Sequence, residues 1–263
     1  MPVRPDTEAL NAVVAVARAA GEKIMAIYRT DFAVEAKDDN SPVTAADRAA
    51  EDLILDALAG PLGMGFPVVG EESFADGRAP GVEGTPFWLV DPLDGTKEFV
   101  KRNGEFTVNI ALVADGRPAL GVVYAPAVGD MFGAVEGHAF AESAGRPRHA
   151  IRSRAAPASG LVALVSRHHM TPEAEDVLKH YKISERVMAG SSLKFCRIAE
   201  GLADIYPRVG RTMEWDTAAG HAVLGFAGGR VVDLHGRDIV YGKSGLENPS
   251  FVALGANVPF PRG

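Results

Sequence analysis

Residues 88–96 read Trp-Leu-Val-Asp-Pro-Leu-Asp-Gly-Thr: an apolar run, two carboxylates three positions apart (Asp91 and Asp94), then a glycine and a hydroxyl. The apolar run predicts a buried strand, and its acidic end predicts a cluster of metal ligands and phosphate donors. Pro92 makes a turn that holds the two carboxylates close. Gly95 lets the backbone approach a ligand and frees the Gly95 and Thr96 N–H groups to face an anion. The chemistry this suggests is metal-assisted phosphate hydrolysis. The competing reading is an Asx-rich turn that caps a helix over 96–101, and the rest of the chain decides between them.

With 263 residues and 47% hydrophobic content, the chain can bury one or two sizeable cores. Charged residues at 23% and a mean hydropathy near zero describe an ordinary soluble globular protein. No apolar run approaches the roughly 18 to 20 residues of a membrane helix, and no positive N-terminal region precedes an apolar signal core. The expectation is a cytoplasmic protein without an integral membrane segment. The lone cysteine, Cys196, excludes an internal disulfide, and within Leu-Lys-Phe-Cys-Arg-Ile it reads as a small apolar helix residue. A net charge of −7 argues against general binding of nucleic acid, which needs a basic face. It leaves room for a small phosphorylated ligand met by local Lys, Arg and metal.

Leu10, Val13, Val14, Ala17, Ala20, Ile24 and Ile27 recur at helical spacing and predict an amphipathic helix over 6–29. A short strand is expected at 32–36. Thr44, three residues before Asp47, resembles a capping box opening a helix to about residue 59, so Asp47 reads first as a cap. Strands at 67–70 and 87–90 each run into carboxylates, Glu71 and Glu72 after the first, Asp91 and Asp94 after the second. Acidic groups gathered at strand ends from separate segments mark a site rather than a surface. Residues 107–113, 120–124, 131–135 and 139–142 form an antiparallel run. Beyond about 150 the pattern alternates: strand 161–166, helix 172–181, strand 186–188, helix 192–201, strand 203–206, helix 217–227, strand 231–233. The fold class is therefore α+β followed by α/β, with halves 1–152 and 153–263 and the site between them.

A second acidic segment, Met213-Glu214-Trp215-Asp216-Thr217-Ala218-Ala219-Gly220, places Asp216 at the start of a small-residue helix. By itself that is an N-cap worth about 1 kcal/mol. The small residues that follow let this helix pack closely and bring Asp216 to a site built elsewhere.

Gly-Glu-Glu at 70–72, Asp-Pro-Leu-Asp-Gly-Thr at 91–96 and Trp-Asp-Thr-Ala-Ala-Gly at 215–220 together resemble the inositol monophosphatase superfamily. Within it, the stretch 94–112, Gly-Ser-Ser-Leu-Lys-Phe-Cys at 190–196 and Tyr-Pro-Arg at 206–208 resemble the CysQ-type 3'(2'),5'-bisphosphate nucleotidases. The resemblance covers essentially the whole chain. It implies a layered αβαβα sandwich and an Mg²⁺-dependent phosphatase, with two or three ions per site. Its substrate would be a small phosphorylated nucleotide, adenosine 3',5'-bisphosphate, a by-product of sulfate activation, which loses its 3'-phosphate.

Residue by residue, the resemblance makes Glu71, Asp91, Asp94, Asp216 and the Leu93 carbonyl metal ligands, all hard oxygen donors suited to Mg²⁺. Asp47, Glu71 and Thr96 become catalytic: the Thr96 hydroxyl, oriented by Asp47, positions a water for in-line attack without a phosphoenzyme. Glu72 supports the site from behind, and Lys37 aligns with a family lysine near it. Leu93, Asp94, Gly95, Thr96 and Asp216 also face the substrate. At the far end, Gly190-Ser191-Ser192 opens a helix and offers N–H groups and hydroxyls to a second anion, with Lys194 and Arg208 adding positive charge. Ser166-Arg167-His168-His169 stands where these nucleotidases usually carry Ser-Arg-Ser-His, so His168 departs from the pattern. His169 reads as a substrate or solvent contact. Other readings are an inositol-phosphate or sugar-phosphate phosphatase, a haloacid-dehalogenase-like enzyme with Asp91 as covalent nucleophile, and a phosphate-ligand sensor without turnover. The spacing of the two aspartates is one residue too long for the dehalogenase type.

Overall fold

The computed structural model describes residues 3–30, 34–36, 42–166 and 171–261. Lys37 and the segment Arg167, His168 and His169 lie outside them. Helix α1 (Thr7–Tyr28) buries Leu10, Val13, Val14, Ala17, Ala20 and Ile24 along one stripe, and the Asp6 carboxylate caps it by accepting from the Ala9 N–H. The short antiparallel pair β1 (Val34–Ala36) and β2 (Pro42–Thr44) leads into α2 (Ala45–Ala59). After α2 come β3 (Val68–Gly70), the single turn α3 (Glu71–Ala75), β4 (Phe87–Asp94) and the equally short α4 (Thr96–Val100).

A meander follows: β5 (Thr107–Ala114), β6 (Arg117–Ala125), β7 (Asp130–Val135), β8 (His138–Ser143) and β9 (Arg146–Ala150). With β3 and β4 it forms a seven-stranded sheet ordered as in the chain, antiparallel throughout except that β3 runs parallel to β4. The C-terminal half supplies β10 (Leu161–Ser166), α5 (Pro172–Lys179), β11 (Ile183–Ala189), α6 (Leu193–Ala199), β12 (Ile205–Arg208), α7 (Ala218–Phe226), β13 (Arg230–Asp233) and β14 (Phe251–Leu254). Its five strands are ordered β11-β10-β12-β14-β13, a mixed sheet.

The layers follow from which side chains share a core. Trp88, Val90, Val108, Ile110, Leu120 and Val122 pack under α1 and α2, whereas Phe87, Leu89, Ala111, Val113 and Val123 face the opposite way, toward α6 and α7. The inner face of the second sheet, with Leu164, Tyr206, Val231, Phe251 and Ala253, closes that central core. The outer face, with Leu161, Val165, Ile205 and Val252, packs against Leu178 of α5. The molecule is an αβαβα sandwich. The uninterrupted apolar run before Asp91 follows from this: β4 is covered on both faces, so successive residues are all apolar. Each fully buried Leu, Ile or Phe in these layers contributes about 1.5–3 kcal/mol.

Several boundaries differ from expectation. β4 does not stop at Val90 but pairs through Asp94, and Pro92 sits in a bulge rather than a free turn. β9 and β14 were not predicted; β9 is a mostly exposed, Arg-rich edge strand, and β14 is too short to show a period. Asp216 does not cap α7. It ends a separate helical turn over Glu214–Asp216, and its carboxylate accepts from the Met213 N–H at 2.8 Å.

Close packing of α7 on β6 depends on Gly121, because a Cβ there would stand 2.5 Å from the Ala219 carbonyl and 2.6 Å from the Ala222 methyl. Gly121→Ala is therefore expected to lower unfolding free energy by about 1–3 kcal/mol, despite alanine's better strand propensity. Urea denaturation measures this, and a variant as stable as the parent would contradict the packing argument.

Candidate active site

Side chains three apart on a regular strand face opposite sides, so Asp91 and Asp94 cannot share a cleft unless β4 is irregular. The bulge supplies the irregularity. Asp91 pairs with Asn109 and Asp94 with Thr107, so two residues of β4, Pro92 and Leu93, stand against one of β5, Val108. Leu93 returns to the outer core while both carboxylates line a cleft of about 300 Å³ between the sheets. Gly95 then turns the chain at φ +94° into α4, and the Thr96 hydroxyl reaches back to the Leu93 carbonyl at 3.4 Å.

Glu71 enters the same cleft from the β3–α3 junction, and Asp216 from the turn before α7. Backbone donors orient the aspartates: Leu93 N–H to Asp91 at 3.0 Å, Ser192 N–H to Asp94 at 2.6 Å, Met213 N–H to Asp216 at 2.8 Å. The structure thus brings Glu71, Asp91, Leu93, Asp94, Gly95, Thr96 and Asp216 to one wall. Asp47 stands behind it, buried in the first turn of α2, where its charge reaches Asp91.

Two further buried carboxylates brace this wall and were not read from the sequence. Glu51 accepts from the Glu72 and Ser73 N–H groups, both at 2.8 Å, and from the Ser73 hydroxyl at 2.5 Å, which fixes the turn carrying Glu71. A Cβ on Gly70 would fall 2.5 Å from the Glu51 carboxyl carbon, so a side chain there would push that carboxylate off its donors. Glu214 accepts from the Gly242 and Lys243 N–H groups and from Lys243 Nζ, anchoring the turn that carries Asp216. Glu51 had left a trace in the sequence: it lies on the buried stripe with Ala46, Ala50, Ile54 and Leu58, where a carboxylate needs a partner.

The basic end differs from the expected helix-terminus site. Gly190 N–H donates to Glu105 and Ser192 N–H to Asp94, so neither faces outward to a second anion. The Ser192 hydroxyl, though Ser192 lines the cleft, is buried between Asn109 and Thr107 at 2.6 and 2.9 Å and ties the head of α6 to β5. Ser191 also lines the cleft, in a left-handed conformation at φ +46°. Lys194 and Arg208 do supply positive charge there. Lys194 Nζ donates to the Ser191 carbonyl at 2.6 Å and lies 5.0 Å from the centre of the Tyr206 ring. The buried Nε of Arg208 has no hydrogen-bond partner among the described residues, the state of a donor awaiting an acceptor. Cys196 is packed inside α6, its thiol pushed well up by burial, and takes no part.

The electrostatics of the two ends are opposed. Burial, then Glu71, Asp94, Asp216 and Asp47, holds Asp91 well above the usual carboxylate range. Burial, then Asp94 and Glu71, does the same to Asp216. Burial raises Asp94 too, against the opposing pull of Lys194, the Ser192 N–H and Arg208. Burial also pushes Lys194 down to about 8. Hard oxygen donors that repel one another across a shared wall fit a hard divalent cation, which relieves that repulsion. Among the described residues, no three His, Cys, Asp or Glu side chains are drawn into a finished ion cage.

A carboxylate whose folded pKa is raised leaves the fold most stable below the ordinary carboxylate range, and that stability is lost as pH climbs through the raised value. Asp91→Asn removes this loss. In chelator-treated protein its Tm is expected to exceed the parent's by roughly 2–4 °C at pH 8, about 1 kcal/mol, with the gap narrowing toward pH 5. Scanning calorimetry checks this, and a lower Tm at pH 8 would show that repulsion does not dominate.

Residues 6–256 match the model of the inositol monophosphatase family. The chain is 46% identical to the 3'(2'),5'-bisphosphate nucleotidase CysQ of Escherichia coli K12 over 250 residues, 92% of this chain and 98% of the relative. It is 42% identical to the nucleotidase of the same name from Buchnera aphidicola over 240 residues, 89% of this chain and 88% of the relative. Among solved structures, CysQ from Bacteroides thetaiotaomicron superposes with a TM-score of 0.76 at 39% identity, covering 95% of this chain and 98% of that one. The extragenic suppressor protein SuhB from Bartonella henselae gives the same TM-score at 26% identity, covering 95% of each chain. The layered sandwich, its acidic cleft and these matches along nearly its full length make the chain a member of the inositol monophosphatase family.

Proposed function

We propose that the cleft hydrolyses the 3'-phosphate of adenosine 3',5'-bisphosphate, leaving AMP and inorganic phosphate. The observation that carries this reading is the 46% identity to a 3'(2'),5'-bisphosphate nucleotidase over 92% of the chain. A cleft acidic at one end and cationic at the other supports it. Glu71, Asp91, Asp94, Asp216 and the Leu93 carbonyl would hold Mg²⁺, two or three ions in all. When bound, such ions neutralise phosphate charge and make water a stronger nucleophile.

The chain's own groups do the rest. Thr96, at the turn after the bulge, orients the attacking water, with Asp47 supporting that end from behind the wall. The Gly95 and Thr96 backbone approaches the phosphate closely because residue 95 has no side chain. Glu72, held in the turn that Glu51 braces, supports Glu71. Lys194 and Arg208 receive the second phosphate, with Ser191 beside them, and the Ser192 hydroxyl serves the wall. Because water itself attacks the phosphorus, no phosphoenzyme forms. The half 153–263 thereby completes the ion site through Asp216 and supplies the nucleotide end.

A phosphate-release panel with Mg²⁺ tests the substrate. Adenosine 3',5'-bisphosphate is expected to turn over faster than inositol 1-phosphate or fructose 1,6-bisphosphate. Faster release from inositol 1-phosphate would replace the nucleotide reading with an inositol-phosphate one. Asp94→Asn is expected to keep its circular dichroism while losing roughly a hundredfold or more in rate; retained activity would remove Asp94 from the site. Lys194 is a cation below about 8 and loses its charge above it. The KM for the bisphosphate is therefore expected to climb as pH rises through that value, while the KM for a substrate with one phosphate does not. A KM flat to pH 9 would exclude Lys194 from the second phosphate.

A further inference from the structure

Beyond the turn that carries Asp216 lies a second cavity of about 280 Å³, bounded by the start of β6, α7 and β13, with Arg117, His221, Arg230 and Asp238 among its lining residues. Hydrolysis uses none of these side chains. His221 nevertheless connects this cavity to the cleft. Its Nδ1 stands 3.0 Å from the Tyr241 hydroxyl, and that hydroxyl stands 3.2 Å from the Thr217 hydroxyl. Thr217 lines the cleft and directly follows Asp216.

Placing the Thr217 hydrogen gives this chain of hydroxyls a direction. Thr217 has one hydroxyl hydrogen, and it goes to the Glu214 carbonyl at 3.2 Å. Asn248 Nδ2 donates to the same oxygen at 3.0 Å, its amide orientation fixed by a second bond to the Met213 carbonyl at 2.7 Å. With the Thr217 hydrogen on the Glu214 carbonyl, the Tyr241 hydroxyl donates to Thr217 and accepts from His221, and in that arrangement Nδ1 carries the hydrogen. The ring is neutral at physiological pH, because burial pushes His221 down to about 4 despite the raising influence of Asp238. Asp238 itself is paired with Arg117 at 3.2 Å. Thr217 then donates once and accepts twice, its full capacity.

The turn over 213–217 is thus held at Thr217 by Asn248 and Tyr241 and at Glu214 by Gly242 and Lys243. Removing one hydroxyl would loosen the backbone whose Met213 N–H aims the Asp216 carboxylate. We propose that His221 is a positioning residue for the cleft, its Nδ1–H acting through the Tyr241 hydroxyl on Thr217 to fix the turn that aims Asp216. This rests on the reading of Asp216 as a divalent-cation ligand.

The test reads Mn²⁺ affinity by isothermal titration calorimetry alongside the Tm of metal-free protein. An asparagine amide nitrogen takes the place of Nδ1, whereas that of glutamine reaches toward Nε2. His221→Asn is therefore expected to bind Mn²⁺ close to parental affinity. His221→Gln and Tyr241→Phe are expected to lose about tenfold, and the double variant no more than either alone, because the chain breaks once. Parental Mn²⁺ affinity in His221→Gln and Tyr241→Phe, with loss in Asp216→Asn, would overturn the positioning role. Equal losses in His221→Asn and His221→Gln would overturn it as well, making the ring a packing element. Parental affinity in Asp216→Asn would instead overturn the ligand reading beneath it.

Discussion

Four carboxylates that repel one another are kept in one cleft between two sheets, and much of the surrounding structure serves to keep them there. Burial makes each charge costly and weakens the screening between them, which is why Asp91 and Asp216 are driven so far above the ordinary carboxylate range. The fold opposes this with fixed backbone dipoles. Each aspartate accepts an N–H from a segment that cannot move without disturbing a layer, Ser192 at the head of α6 being the clearest case.

The bracing acids make the same point from the other side. Glu51 and Glu214 are both buried, and the hydrogen bonds they accept tie each of them to neighbouring backbone. Their role is mechanical: each turns a charge-assisted hydrogen-bond network into a rigid support for a turn that presents an acid to the cleft. The cleft aspartates accept one backbone N–H each, whereas the bracing acids accept two and a side-chain donor as well. Among the hydroxyls, Thr96, Ser192 and Thr217 all stand at the cleft, and Ser192 and Thr217 are also bonded to neighbouring side chains, Thr107 and Tyr241.

Layering also explains how segments distant in sequence reach one place. Small residues at Gly121, Ala218, Ala219, Ala222 and Gly220 let α7 lie against both β6 and α6 at near-backbone distance. That closeness brings the turn before α7 to the end of β4. A bulkier helix would hold Asp216 out of reach of Asp91 and Asp94.

Much of this was already present along the chain. The helical stripe of 10–24, the apolar run before Asp91, the antiparallel meander and the later alternation of strands and helices are local periodicities, and they specified most of the elements and the order α+β then α/β, while the layered sandwich followed from the family resemblance. The motifs around Glu71, Asp91 and Asp216 named the ligand candidates, because few other arrangements place carboxylates at so many strand ends. Three matters depended on packing in three dimensions. Whether Asp91 and Asp94 face the same way rests on a bulge that exists only because β5 pairs with β4 out of step. The fate of the Gly190 and Ser192 N–H groups rests on Glu105 and Asp94, 85 and 98 residues away. The supports Glu51, Asn109 and Tyr241 could not be recognised as such, since a lone polar residue in an apolar stripe says that it needs a partner without saying which. Sequence patterns report on neighbours within a turn or a strand. Hydrogen-bond partners across layers are set by register and helix placement, which no local period encodes.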